Sequence, residues 1–511
     1  MNAAFRFPLY PAGSLPHASV FCPANGYILD PGAPYVPPID VGTPNTEEII
    51  LLCTNNAPGN ISLTVTTSAA AQYYAEIYDD ENNLITTTAN VNSGVALTFT
   101  FPVIIPNSLY VMKIKPVSGS ITVFKVNATA TADYQVLQAR FNTPNITSLQ
   151  YAFQYVQTIK NVAFDCTLNY LTDTGYMFRY SGINEFTFPT SLPELTDAGN
   201  MFYQSDIVRM NWSSSSTAPK LTIVSGILQL TRNAISASFP ASLPELTSFS
   251  NLVRASNIQQ ITLFTSAPKV TSCGWAFYDT PNLYGEITLP EMPLCTQTSN
   301  AFNINSKITK VKYQGNMNAT WADAIRFYDT IREMKALTEF EFPRQMATWC
   351  NTTFASLSPR LQKIKLPDII TASALTAFQS IGIASSGANL KEVTGDFDNS
   401  GSVQIDCYWN YSGITVWNTP KMRCTRFRIG AGSTNCAPVT SVEIDWANSN
   451  YSAGAAAIYL YCSLDATELN RIFTALPTVT GKTIYIKGNP GTATCNKTIA
   501  TGKGWTVNTT T

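Results

Sequence analysis

A Pro-x-apolar-Thr element recurs along the chain as Pro144-Asn145-Ile146-Thr147, Pro193-Glu194-Leu195-Thr196, Pro219-Lys220-Leu221-Thr222, Pro244-Glu245-Leu246-Thr247, Pro268-Lys269-Val270-Thr271 and Pro293-Leu294-Cys295-Thr296. The prolines are spaced by 49, 26, 25, 24 and 25 residues, and Tyr170-Leu171-Thr172 fills the long gap without its proline. A single period of about 25 residues explains the series, and a period of this size means coils stacked in a solenoid.

A second pattern runs in phase: apolar, two variable residues, apolar, polar, apolar. It is seen at Ile183/Phe186/Phe188, Ile207/Met210/Trp212, Ile258/Ile261/Leu263, Ile308/Val311/Tyr313, Leu337/Phe340/Phe342, Leu361/Ile364/Leu366, Leu390/Val393, Ile414/Trp417 and Val439/Val442/Ile444. The last two apolar side chains fall on one face of a short strand, and the first falls at the bend before it. One coil cannot bury such a face alone. Stacking buries it continuously and pairs the strands into a parallel sheet. The triplets Tyr176-Met177-Phe178, Asn200-Met201-Phe202, Asn251-Leu252-Val253, Trp275-Ala276-Phe277 and Asn300-Ala301-Phe302 share one phase and read as apolar plugs of a short helical or irregular half-coil.

Upstream, residues 46–138 hold seven short β-rich runs with turn residues between them, the pattern of an antiparallel sandwich. Tyr73, Ala75 and Ile77 alternate with Tyr74, Glu76 and Tyr78, and Asp79-Asp80-Glu81 reads as the following hairpin turn. Residues 1–45 contain nine of the thirty prolines together with Phe5, Phe7, Tyr10, Phe21, Tyr27 and Tyr35. Proline fixes φ and removes a donor, so this stretch is expected to run extended. Its aromatic residues suit an arm that docks on a neighbouring subunit; a solvated tail is the other reading. At the far end, Asp465 caps a helix from Leu464 to Phe473 with Glu468 completing a capping box, and residues 489–507 close the stack.

Only 13% of residues are charged, and the formal net charge is -1. A phosphate-binding surface needs clustered cations. The densest group, Lys421, Arg423, Arg426 and Arg428, reads as ordinary surface charge, so no nucleic-acid partner is expected. There is no run of 18 apolar residues and no leader-like apolar segment near Met1, so neither membrane insertion nor export through a signal peptide is expected. The eleven cysteines lack C-x-x-C spacing, and Cys295 occupies a slot that other coils fill with Leu, Ile or Val; the thiols read as small core residues.

His17 is the only histidine and lies in the proline-rich segment, which leaves little for a His-based mechanism. Asp396-Phe397-Asp398-Asn399-Ser400-Gly401 has the start of a calcium loop but not its bidentate Glu, and reads as a structural loop. No catalytic, metal or cofactor residue is assigned. Binding character rests on Tyr408, Trp409, Tyr411, Trp417, Trp446 and Tyr451 in the later coils. Exposed, they would contact a glycan or a partner; buried, they would be core.

The plug triplets, the L-x-x-I-x-L-P strand and the ending from Ile484-Tyr485-Ile486-Lys487-Gly488-Asn489-Pro490-Gly491 to Gly504-Trp505-Thr506-Val507 resemble the BspA-like class of leucine-rich repeats. That class is carried by surface proteins of Bacteroidota and by proteins of phages that infect them. The resemblance covers roughly residues 140–507. It implies a mainly β chain, with the sandwich over 46–138 followed by a leucine-rich-repeat-like solenoid over 139–507, and a non-enzymatic structural or adhesion role. With the front of the chain as it is, the expectation is a phage virion surface component, a fibre or decoration, that self-associates through its arm and contacts other virion proteins, with host glycan as a further candidate partner. The alternative is a bacterial cell-surface adhesin.

Overall fold

The computed structural model describes residues 20–22, 27–29, 41–55, 60–101, 108–129, 136–298, 300–305, 307–315, 334–346, 360–370, 389–401, 405–409, 413–430, 432, 434–452, 454 and 456–510. The chain forms two compact units, one of residues 1–243 with 256–262, the other of 244–255 with 263–511.

In the first unit, β1 (Val20–Cys22) and β2 (Tyr27–Leu29) pair antiparallel, with Phe21 opposite Ile28 and Cys22 opposite Tyr27. The proline-rich segment is therefore not extended throughout. No proline falls within either strand, so the ladder loses no donor. Phe5, Phe7, Tyr10 and Tyr35 lie outside the described residues, as do the side chains of Phe21 and Tyr27.

Two sheets follow. One contains β3 (Glu48–Asn55), β5 (Tyr73–Tyr78), β6 (Leu84–Thr87), β8 (Ser108–Pro116) and β10 (Val136–Asn142), and ends on β11 (Asn161–Phe164). The other contains β4 (Asn60–Thr67), β7 (Ala96–Thr100) and β9 (Ile121–Val126). Alternation puts Ile61, Leu63 and Val65 of β4 and Tyr73, Ala75 and Ile77 of β5 into the core. The Tyr73 hydroxyl crosses between the sheets to donate to the Val95 and Leu63 carbonyls, and Asp79-Asp80-Glu81 makes the turn from β5 to β6.

Both sheets run on into the coils. β10 pairs antiparallel with β3 and parallel with β11, and a bridge from Val123 to Ser148 continues through Asp173 and Asp197 to Ile223. Four further coils of this unit pair β12 (Glu185–Thr187), β13 (Arg209–Asn211), β14 (Ser236–Ser238) and β15 (Gln260–Thr262) in parallel, with Phe186, Met210, Ala237 and Ile261 in register. The repeated threonine has a structural task. The Oγ1 of Thr147, Thr172, Thr196 and Thr222 each donates to a main-chain carbonyl one coil back, at 2.9–3.1 Å.

The half-coil between strands is not helical. In residues 149–156, the N–H groups of Leu149, Tyr151, Phe153 and Tyr155 donate to the next coil at Asp173, Gly175, Met177 and Arg179, while those of Ala152, Gln154 and Val156 close turns three residues back. Left-handed residues at every fourth position make this alternation: Tyr151, Tyr155, Tyr176, Tyr180, Asn200 and Gln204 have φ between 52° and 64°. The ribbon turns Phe153, Phe178 and Phe202 inward, stacked at 5.7 and 5.4 Å. Tyr176 and Asn200, the first members of their triplets, face outward instead of plugging the core.

The second unit repeats the design. β16 (Tyr284–Leu289), β17 (Lys307–Tyr313), β18 (Glu339–Glu341), β20 (Lys363–Lys365), β22 (Glu392–Thr394), β24 (Val416–Asn418) and β26 (Val442–Glu443) form a seven-stranded parallel sheet. A five-stranded sheet of β23 (Ile405–Trp409), β25 (Cys424–Ile429), β27 (Ala456–Leu460), β28 (Lys482–Tyr485) and β29 (Trp505–Asn508) leads to the end of the chain. The helix α1 (Ala466–Ala475) buries Leu469, Ile472 and Phe473 and is capped by the Asp465 carboxylate, which accepts the Glu468 N–H at 2.8 Å. The capping box is not closed. Glu468 instead accepts from Val442 N–H, Ser441 and Arg471, tying the helix to the preceding coil.

Candidate recognition surface

Four of the six aromatic residues that the sequence singles out in the later coils are core. Trp409, Trp417, Trp446 and Tyr451 are at most 2% exposed. Trp409, Trp417, Phe427 and Trp446 form an edge-to-face chain with centroids 4.9, 5.4 and 5.5 Å apart. Trp417, at the centre of β24, and Trp409, at the end of β23, have inward parity, so they fill the stack and cannot meet a ligand. Tyr411 and the Tyr408 side chain lie outside the described residues.

The Tyr408 backbone does mark a different row. Across β23, β25, β27 and β28, Tyr408, Arg428, Tyr459 and Tyr485 are in register. Tyr459 and Tyr485 stack at 4.6 Å with an 8° interplanar angle, and the Arg428 guanidinium sits 5.2 Å from the Tyr459 ring and 5.4 Å from Tyr461. This parity faces out, and Arg428, Tyr459 and Tyr485 are half-exposed.

The outward side of the left-handed ribbon carries two more such clusters, one in each unit. In the first unit, Tyr151 stacks on Tyr176 at 5.3 Å and Tyr155 on Tyr180 at 5.1 Å, and Tyr203 meets Tyr180 edge-on. The Arg179 guanidinium lies among them, 4.9 Å from the Tyr180 ring, 5.3 Å from Tyr203 and 5.5 Å from Tyr176. In the second unit, Arg254 lies 4.7 Å over the Trp275 ring and 5.6 Å from Tyr278, and donates to Asn251 Oδ1 at 3.3 Å. Cation–ring contacts of this kind hold a guanidinium in place without neutralising it.

Many other cations are matched by an acid one coil away. Arg140 pairs with Asp165, Arg209 with Glu185, Lys220 with Glu194, Lys269 with Glu245, and Lys310 with both Glu339 and Glu341. The basic stretch is disarmed likewise: Lys421 pairs with Asp396, Arg423 with Asp445 and Arg426 with Asp406.

The calcium-like loop is occupied by structure. Asp396 holds Lys421 at 2.7 Å, Asp398 accepts the Ser400 N–H, and the fully buried Asn399 bonds both ways with the Arg423 backbone. Among the described residues no group of three or more His, Cys, Asp or Glu side chains gathers as a metal site. Described cysteines are free thiols, and seven of them are buried, Cys273 and Cys295 with sulfurs 3.9 Å apart. Burial pushes the Cys53 thiol up to about 12, and raises the Cys407 and Cys462 thiols, against forming a reactive thiolate. A cleft of about 270 Å³ lies at the ends of β17, β18 and β20 between Lys312, Glu341, Arg344, Lys365 and Asp368.

The sequence reading missed Tyr176 and Trp275 as surface residues because each opens a triplet whose other two members are core. The signal was present: the same slot is Asn at Asn200, Asn251 and Asn300, and a slot that accepts Asn is outward and tolerant of positive φ.

Compared with known proteins, residues 113–208 match the BspA type leucine rich repeat region, in six copies. The match begins within β8, a strand of the sandwich, and runs into the first coils. No curated protein and no solved structure matches the chain. The fold is a solenoid of parallel-strand coils, and the first of those coils are similar to BspA type leucine-rich repeats.

Proposed function

We propose that this chain is a non-enzymatic adhesion protein displayed on a surface, held to its carrier by the N-terminal region and meeting its target through the outward ribbon of the solenoid. The observation that carries this reading is the placing of half-exposed arginine–aromatic clusters on that ribbon, while cations such as Arg209 and Lys269 are spent on pairing adjacent coils. Tyrosine, tryptophan and arginine are the side chains that dominate recognition hot spots. Beads coated with the full-length chain are expected to be retained on target cells and released by the soluble chain; absence of retention on any bacterial or animal cell tested overturns the reading.

The carrier we propose is a phage particle, with the arm and its hairpin as the element of attachment and self-association. The repeat match supports a second reading, a bacterial cell-surface adhesin. Antibody against the chain separates them, by labelling virions in one case and cell envelopes in the other. Light scattering on the full chain and on its Phe21→Ser/Tyr27→Ser variant tests self-association, which should weaken in the variant.

A further inference from the structure

We propose that the Arg179 cluster is a binding site for a carboxylated saccharide, the guanidinium taking the carboxylate and the tyrosine rims taking the sugar ring; this rests on the adhesion reading above and names the ligand of that surface. Four observations converge on it. First, Arg179 is paired with no acid among the described residues, whereas Arg140, Arg209 and Lys220 of the same unit each reach one in an adjacent coil. Second, its Nε is sealed from solvent with no hydrogen-bond partner among the described residues, while the residue as a whole is half-exposed. The exposed part of the residue therefore lies away from Nε. Third, three rings at 4.9–5.5 Å hold the guanidinium in place. Fourth, the hydroxyls of Tyr176, Tyr180 and Tyr203, whose rings adjoin the guanidinium, and of Tyr151 and Tyr155, stacked on the first two, have no hydrogen-bond partner among the described residues, so donors and acceptors for sugar hydroxyls belong to the same ladder.

The choice of carboxylate follows from shape and charge. A guanidinium offers a planar fork that matches a carboxylate with two parallel N–H···O bonds, and such charge-assisted bonds are the strong ones. Lys125, 5.4 Å from the Tyr151 ring, adds a second positive charge at the edge of the same ladder. A neutral glycan would leave both charges unanswered. The stacked pairs Tyr151–Tyr176 and Tyr155–Tyr180 cover each other's faces, so the ladder offers ring edges and hydroxyls rather than an open stacking platform.

The test is calorimetry of the full-length chain with an oligogalacturonate and with the same oligosaccharide after its carboxylates have been reduced to alcohols. Binding of the acidic form alone, weakening with added salt, is expected. Arg179→Gln should lower affinity by roughly tenfold or more, and Arg179→Lys should restore little of it because the fork is lost. Equal binding of the two saccharides, binding of neither, or an affinity that Arg179→Gln leaves unchanged each overturns the proposal. The comparison of two ligands on one unaltered protein stands even if a variant is poorly folded. Bead adhesion run in parallel keeps the two readings apart: retention on cells without uronate binding rejects this ligand and leaves adhesion standing, whereas loss of retention rejects adhesion itself.

Discussion

At the scale of single residues, the solenoid accepts backbone strain in exchange for order between coils. Tyr151, Tyr176 and Trp275 hold φ of 60°, 57° and 60°, a conformation that costs a bulky L-residue roughly 1–2 kcal/mol. Tyr151 and Tyr176 are compensated by the N–H each donates to the next coil, at Gly175 and Gly199, and by the stacking of their rings. Glycines separate into two kinds under this view. A Cβ on Gly182 would sit 1.7 Å from the Gln157 carbonyl oxygen, a main-chain atom of the adjacent coil. At Gly226, in the phase of Tyr176 and Asn200, it would meet side-chain atoms, Asn200 Oδ1 at 2.5 Å and Gln229 Oε1 at 3.1 Å, which can swing away. Gly182→Ala is therefore expected to destabilise by about 1–3 kcal/mol, and Gly226→Asn to stay within about 0.5 kcal/mol. Urea unfolding followed by fluorescence checks both; equal midpoints for the two variants would show that the coils can separate at Gly182.

At the scale of elements, the strands and their phase were readable because burial and period coincide. Phe186, Phe188, Met210 and Trp212 are core as their spacing requires, and Tyr73, Ala75 and Ile77 alternate inward in the sandwich. The outward clusters were not readable, because they are made across coils: Arg179 meets Tyr203, 24 positions on, through a stack spacing that no local pattern expresses. The aromatic run around Trp409 misled for a related reason, since strand parity decides which way each ring turns. The same lesson applies to α1, whose Glu468 is spent on the neighbouring coil. Burial acts to raise the Glu468 carboxyl, yet the hydrogen bonds from Arg471, the Val442 N–H and Ser441 outweigh it and leave its pKa below the ordinary 4.5. A lowered carboxylate gives stability that is present above its unfolded pKa and is lost as pH falls through the folded one. Glu468→Gln is accordingly expected to cost roughly 1 kcal/mol at pH 7 and to flatten the acid limb below about pH 4. Urea midpoints at pH 7 and pH 3.5 measure this; an acid limb as steep in the variant as in the parent would place the titrating group elsewhere.

At the scale of the whole molecule, stability in a stack is a sum of coil terms and nearest-neighbour interfaces, so damage should remain local. Phe178 is the place to see it. Its ring is wholly buried, stacks on Phe153 and Phe202 in the flanking coils, and packs against Phe186 at 5.2 Å. Phe178→Ala leaves a cavity that three coils share, at a cost of about 3–5 kcal/mol. In the first unit, amides of residues 149–156, 174–181 and 198–205 hydrogen-bond directly to that ribbon or lie within it, and their hydrogen-exchange protection should fall together. Amides of α1, β28 and β29 belong to the second unit and should exchange at the parent's rate. Such a graded loss would mean that the coils open by local steps, with the ribbon around Arg179 melting before the C-terminal coils. A uniform loss in both units would mean that the chain unfolds as one cooperative body, and that strain at any αL position is borne by every coil at once.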